Sequence, residues 1–217
     1  MAIIALVRHG ENDWVKKHRL AGWIPGVRLN EAGRQQAAAA AERLAALPLT
    51  ALYSSPLTRC LETAVYIAQA HQLHITEIED LGEVHYGKWE GKKIKKLAKK
   101  KTWHGVQHFP SRFQFPGGES LHAVQFRAVQ TIEKLNRQHS GESIAIVSHA
   151  DLIKLVLAHY LGMHLDLFQR LVIAPASVSL IALAENGGVH IMRLNDTGPL
   201  QPPSIPQQAK QKQDEEE

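Results

Sequence analysis

Apolar residues gather in short runs bounded by turn-formers, and these runs alternate with stretches where apolar positions recur every three or four residues. Ile3-Ile4-Ala5-Leu6 has strand length, as does Ser143-Ile144-Ala145-Ile146-Val147-Ser148. Leu52-Tyr53-Ser54 and the segment Ile75 to Ile78 predict two further strands. Val178 to Ala184 and Val189 to Leu194 flank Asn186-Gly187-Gly188, which reads as a hairpin. Helical spacing begins after Asn30, the expected N-cap, and runs to about Ala46. A second helix is expected from about Pro56 to His71, with Pro56 near the first turn where its missing N–H costs nothing. A third spans Glu119 to about His139, its course marked by Ser120, Leu121, Val124, Phe126 and Val129. Leu152, Leu155, Val156 and His159 mark a fourth. Strands alternating with helices, closed by an antiparallel pair, predict an α/β fold: a three-layer α/β/α sandwich with a mostly parallel sheet and an antiparallel edge.

Composition bounds this picture. With 217 residues, 44% of them hydrophobic, the chain can bury one sizeable core, expected over residues 1–196. From Thr197 the character changes to prolines, glutamines and a final Asp214-Glu215-Glu216-Glu217, which reads as a disordered tail over 197–217. There is no apolar run of membrane-spanning length, and Arg8 interrupts the N-terminal apolar run too early for a leader. Cys60 is the single cysteine, so no intrachain disulfide forms and a reducing cytoplasm is the expected home. Cys60 follows Arg59, which leaves a reactive thiol as the alternative to the favoured reading, a small buried filler in a helix.

The net charge of +4 is unevenly spread, since residues 88–104 carry eight lysines against one glutamate. Ile94, Leu97 and Ala98 hold the spacing of an inward helix face there, with lysines on the solvent side. Such a run is either a solvated surface or a cationic rim that draws anionic substrates inward. No nucleic-acid recognition motif accompanies it, so nucleic acid is an unfavoured partner.

The candidate chemistry sits at strand ends. Val7-Arg8-His9-Gly10-Glu11-Asn12 follows the first strand and brings a guanidinium and an imidazole to the carboxyl edge of a sheet, where α/β proteins place ligands. Arginine's planar fork suits a tetrahedral anion, and histidine beside such an anion can be a nucleophile. Ser148-His149-Ala150 ends another strand in the same way, and the two histidines converge only if their strands are neighbours. Between them lie Ser54-Ser55-Pro56-Leu57-Thr58-Arg59 and the glycine-punctuated loop Leu81-Gly82-Glu83-Val84-His85-Tyr86-Gly87-Lys88-Trp89-Glu90-Gly91. Taken singly, each of these histidines serves structure as readily as chemistry.

Together and in this order, the Arg-His-Gly strand end, the Ser-Ser-Pro-Leu-Thr-Arg helix start, the Glu83 loop, Phe115-Pro116-Gly117-Gly118-Glu119-Ser120 and Val147-Ser148-His149-Ala150-Asp151 resemble the histidine phosphatase superfamily, also called phosphoglycerate mutase-like. The resemblance covers roughly residues 3–195 and favours its phosphatase branch. It implies that His9 is the nucleophile forming a phosphohistidine, and that Glu83 protonates the leaving oxygen and later activates water. Arg8, Arg59 and His149 would hold the phosphoryl oxygens, with Asn12, Gly22 and Ala150 around the substrate. His85 would support its loop, and Glu11 the turn after the first strand. No metal or other cofactor is implied, because arginines and histidines do the charge work. The remaining histidines, His18, His71, His104, His108 and His122 among them, form no backed metal-ligand pattern.

The chain also departs from the family pattern. Many members carry Ser or Thr two residues after Arg-His-Gly and Asn three further; here stand Asn12 and Val15. Asn12 can still donate, and Val15 cannot. The mutase Thr-Gly pair is replaced by Ala21-Gly22, and the long mutase insert after Glu83 is not evident. Trp103 and the stretch from Arg112 to Ser120 resemble the phosphatase branch. The leading expectation is a metal-independent phosphomonoesterase acting on a small phosphorylated metabolite. A phosphoglycerate-type phosphomutase and a non-catalytic phosphate-binding module are the alternatives, and a homodimer is compatible with either.

Overall fold

A computed structural model gives the fold and describes residues 1–199. Six strands form one sheet: β1 (Ala2–Arg8), β2 (Leu49–Ser54), β3 (Ile75–Glu77), β4 (Ser143–Ser148), β5 (Val178–Leu183) and β6 (Val189–Asp196), in the order β3-β2-β4-β1-β5-β6. The helices are α1 (Asp13–Lys16), α2 (Glu31–Leu44), α3 (Thr58–His71), α4 (Ile94–Leu97), α5 (Lys101–His108), α6 (Leu121–Gln138) and α7 (Ala150–Tyr160), with short 3-10 turns between several of them.

Strand alternation divides the core into two layers. Ala5 and Val7 of β1 and Ala145 and Val147 of β4 pack with Ala41, Leu44, Cys60, Ala64 and Ile67 of α2 and α3. Ile4, Leu6, Ile144 and Ile146 face the other way, onto Val124, Ile132, Leu152 and Val156 of α6 and α7. All six residues of β4 and of β5 are buried, as expected for strands covered on both faces. The three-layer sandwich is therefore as expected from the sequence. The antiparallel pair β5–β6 closes one edge, as expected, and because β5 also runs against β1, β6 at the edge runs with β1.

Helix starts follow their caps. The Asn30 side chain accepts from Gly33 N–H and the Ser120 hydroxyl from Ala123 N–H. Helix α6 thus begins two residues later than expected, at Leu121, and of the residues marking its course Phe126 is 68% exposed. Pro56 precedes α3, whose N-cap is Leu57, instead of entering its first turn. The lysine-rich stretch is not one helix: α4 ends at Leu97, α5 starts at Lys101, and Ala98 between them is exposed. The hairpin closes through a bond from Ala184 N–H to the Gly188 carbonyl. The expected tail beyond residue 199 lies outside the described residues.

Candidate active site

Parallel pairing of β1 with β4 opposes Arg8 to Ser148, and His9 N–H donates to the Ser148 carbonyl at 2.9 Å. The two strand-end histidines therefore meet, their ring centroids 5.3 Å apart edge to face. Gly10 lets the segment between β1 and α1 pass close against α2: its N–H donates to the Thr63 hydroxyl at 3.0 Å, and a Cβ there would come within 2.3 Å of the Gly33 carbonyl oxygen. Gly33 is as tight in return, a Cβ on it meeting the Glu11 carbonyl. Glu11 accepts from the Asn30 amide at 2.8 Å, at the turn.

A cavity of about 430 Å³ opens at this edge of the sheet, lined by Arg8, His9, Asn12, Gly22, Arg59, Glu83 and Ala150 among others. Of the residues expected to contact substrate, only His149 is absent from its wall. The His9 ring is nearly enclosed, with 3% exposure, and its Nδ1 lies 2.8 Å from the Gly10 carbonyl. A carbonyl only accepts, so Nδ1 carries the proton and Nε2 keeps its lone pair. Burial, then the Arg59 and Arg8 charges, push the His9 pKa well below the ordinary imidazole value, against a weaker pull from Gly10. The ring is neutral at pH 7.

His149 is fully buried. Arg59 donates to its Nδ1 at 3.2 Å, so its Nε2 carries the proton and donates to the Ser55 hydroxyl at 2.8 Å. Burial and the Arg59 charge keep it neutral as well. It therefore reaches the cavity through Arg59, which also donates to the Gly22 carbonyl at 2.9 Å. Gly22 has φ +51, and a side chain there would run into Glu90. Cys60 packs 3.4 Å from His149 Nε2, and burial pushes its thiol up to about 12, which leaves it inert.

Three buried donors on cavity residues have no hydrogen-bond partner among the described residues: Arg8 Nε, Arg59 Nε and Asn12 Nδ2. Asn12 spends its oxygen on capping α1, accepting from Trp14 and Val15 N–H at 2.9 Å each. Arg8 gives one Nη to the Ile173 carbonyl at 2.6 Å. The first turn of α7 has no side-chain cap, and Ala150 there lines the cavity. Unmatched donors lining one cavity beside a helix start have the chemistry to hold a polyatomic anion.

Glu83 faces the same cavity, with 8% exposure. Its loop is held rigidly: Trp23 Nε1 and Arg127 both donate to the Glu83 carbonyl, at 2.6 and 3.0 Å, and Arg127 also bonds both oxygens of Glu119. His85 stacks on Trp23 at 4.3 Å and gives its N–H to Glu119, so it supports the loop. Burial raises the Glu83 pKa to about 7, and the Asp151 charge adds to this against Arg59 and Arg8. A carboxyl still protonated near neutrality is fit to be a general acid.

That raised pKa has a signature in stability. An unfolded Glu83 ionises near 4.5, while the folded protein keeps the proton to about 7. Between these values the folded state binds more protons, so stability falls as pH rises through the window, by up to about 3 kcal/mol. Glu83→Gln removes this dependence. Its melting temperature relative to wild type should climb between pH 4.5 and 7 and then level off. A difference that stays flat across that window would mean that Glu83 ionises normally.

Sequence reasoning missed Tyr86, Asp151 and Lys154, which share the cavity wall with Glu83. Tyr86 follows Glu83 by one turn of chain and Asp151 follows His149 by two residues, so proximity to the motif was the available signal. Trp103 lines the cavity and stacks on Trp89 at 5.8 Å. Among the described residues no cluster of three His, Cys, Asp or Glu could hold a metal ion, and no helix is long and apolar enough to cross a membrane.

Comparison with known proteins agrees with this geometry. The profile of the histidine phosphatase superfamily (branch 1) matches residues 4–197. Phosphoserine phosphatase 1 of Hydrogenobacter thermophilus is 32% identical over 202 residues, spanning 91% of this chain and 93% of that one. Phosphoglycerate mutase-like protein 4 of Arabidopsis thaliana is 34% identical over 200 residues, 90% of this chain and 80% of that one. Among solved structures, Bacillus stearothermophilus YhfR superposes with a TM-score of 0.84 at 30% identity, covering 90% of this chain and 98% of that one.

Proposed function

Since this chain belongs to the histidine phosphatase superfamily, we propose that it is a phosphatase that hydrolyses small phosphate monoesters through a phosphohistidine on His9. One observation carries the reading: a neutral His9 with its lone pair at Nε2 shares a cavity with a Glu83 that stays protonated to about 7. Nucleophile and acid are thus both in the protonation state that the first step needs.

In that step Nε2 attacks phosphorus, a P–N bond forms and the ester P–O bond breaks. Glu83 gives its proton to the departing oxygen. Arg8, Arg59, Asn12 and the start of α7 hold the three remaining oxygens as charge shifts onto them. In the second step Glu83, now a carboxylate, takes a proton from water as the water oxygen attacks phosphorus. The P–N bond breaks, its electron pair returns to Nε2, and inorganic phosphate leaves. His149 acts through Arg59, which it positions. The single, buried Cys60 supports a reducing cytoplasm as its compartment.

The test is a phosphate-release screen over sugar phosphates, phosphoglycerates, nucleotides and phosphorylated amino acids, run beside a mutase assay. A phosphatase yields inorganic phosphate. An isomerised ester without phosphate release would move the function to phosphoryl transfer between hydroxyls.

The lysines of the α4–α5 segment bear on rate. Ile94 of α4 lines the cavity while Lys93, Lys96 and Lys100 are exposed nearby in sequence. If they steer anions, neutralising all three should lower kcat/KM for multiply charged esters several-fold and leave kcat almost unmoved. The loss should fade with salt, because screening limits the field to about 8 Å at physiological ionic strength. An aryl phosphate with no second charge should feel little. Salt-independent kinetics in wild type and variant alike would make the lysines a solvated surface only.

A further inference from the structure

We propose that Asp151 and Lys154, on the first two turns of α7, form a head-group subsite that receives the ammonium and carboxylate of an O-phosphorylated amino acid. This rests on the phosphatase reading above and names its substrate class.

The pair is placed inside the catalytic cavity, whose wall includes Asp151, Lys154, Tyr86 and Gln169. The side chains are only 23% and 15% exposed, and the carboxylate and ammonium stand 3.6 Å apart. That is looser than a good charge-assisted hydrogen bond. Each group is held by a neutral neighbour instead: Tyr86 donates to Asp151 Oδ2 at 2.7 Å, and Lys154 donates to Gln169 Oε1 at 3.1 Å. A carboxylate accepts at about four sites and an ammonium donates three bonds, so both retain capacity for a ligand. Largely buried charges that pair loosely add little to stability, which leaves recognition as the more economical account of them.

Position supplies the rest. Ala150 borders the anion site, and Lys154 follows it by four residues, roughly 6 Å along the helix. This is comparable to the reach of a three-carbon ester from phosphorus to its carboxyl group. Asp151 lies close enough to Arg8 and Glu83 for its charge to act on both. The phosphoryl end of the cavity is strongly cationic, but this wall is balanced, with one charge of each sign. A phosphorylated hydroxy acid would satisfy Lys154 and offer Asp151 only a hydroxyl. A phosphorylated amine would satisfy Asp151 and set two cations together at Lys154. A zwitterion satisfies both.

The experiment compares kcat/KM for O-phosphoserine, 3-phosphoglycerate, phosphoethanolamine and p-nitrophenyl phosphate in wild type, Asp151→Asn and Lys154→Met. Wild type should prefer O-phosphoserine to either single-function analogue by about tenfold or more, the usual worth of one charged hydrogen bond. Lys154→Met should lose at least about tenfold more on O-phosphoserine and 3-phosphoglycerate than on the other two esters. Asp151→Asn should shrink the preference for O-phosphoserine over 3-phosphoglycerate. Hydrolysis of p-nitrophenyl phosphate shows that each variant is folded. Uniform losses on all four esters, or a wild type that hydrolyses the aryl ester without preferring O-phosphoserine, would overturn the subsite alone. No phosphate release from any ester would overturn the phosphatase reading and the subsite with it.

Discussion

Replacing His9 with alanine should abolish phosphate release, by on the order of 10⁴-fold or more, because the proposed route passes through a covalent bond to its Nε2. Of the two other imidazoles nearby, His18 lines the cavity from an exposed position, and His149 has both nitrogens engaged by Arg59 and Ser55. Wild-type enzyme quenched without acid during turnover of a labelled ester should carry label on His9, and the variant none. Folding should survive, because the ring makes one hydrogen bond, to the adjacent carbonyl. The tied Nδ1 also fixes the position of the phosphoryl group at Nε2, which mass spectrometry or phosphorus NMR of the intermediate can check. Near wild-type turnover by the alanine variant would rule out the covalent route.

Glu83→Gln should separate substrates by their leaving groups. Esters of poor alkyl alcohols need protonation as the P–O bond breaks, and they should slow by about 10²–10⁴-fold. Aryl esters leave as stable phenolates and should slow much less in the phosphorylation step. The wild-type rate on alkyl esters should fall as pH rises through about 7, where Glu83 loses its proton, and the aryl-ester rate should not show that limb. Equal losses on both ester types would take the acid role from Glu83, and Tyr86 and Asp151 on the same wall would then be examined first.

Much of this site was legible in the sequence because its parts are local. Arg8-His9-Gly10 and Ser148-His149-Ala150 each follow an apolar run of strand length, and adjacency of β1 and β4 is what joins them. Glu83 could be picked out by its glycine-flanked loop, but its proton affinity depends on Asp151, 68 positions along the chain. Lys154 carried no motif; its place in the cavity follows from the phase of α7 once His149 fixes the start of that helix. His149 reads as a phosphate contact only with the family's other motifs beside it, and in the structure it is fully buried with its ring nitrogens bonded to Arg59 and Ser55. The lysine run shows the opposite failing. Its apolar spacing suggested one helix, but like charges at Lys92–Lys96, Lys95–Lys99 and Lys96–Lys100 repel one turn apart, and the start of α5 has no side-chain cap. Direction was also hidden: the hairpin dictates only that β5 and β6 oppose each other, and which of them runs against β1 is set by the chain's return from α7.

The nucleophile's turn is held by side-chain hydrogen bonds from α2 and α3 and by a backbone approach that admits no Cβ. Gly10 and Gly33 touch across the gap between β1 and α2 with no room for a methyl group on either. Mutational tolerance around His9 is therefore lopsided. Exposed positions on α2 such as Gln35 and Glu42 can drift freely, while a single added carbon at residue 10 or 33 would displace the helix start and the catalytic turn together. At these two positions the smallest residue is the one least free to change.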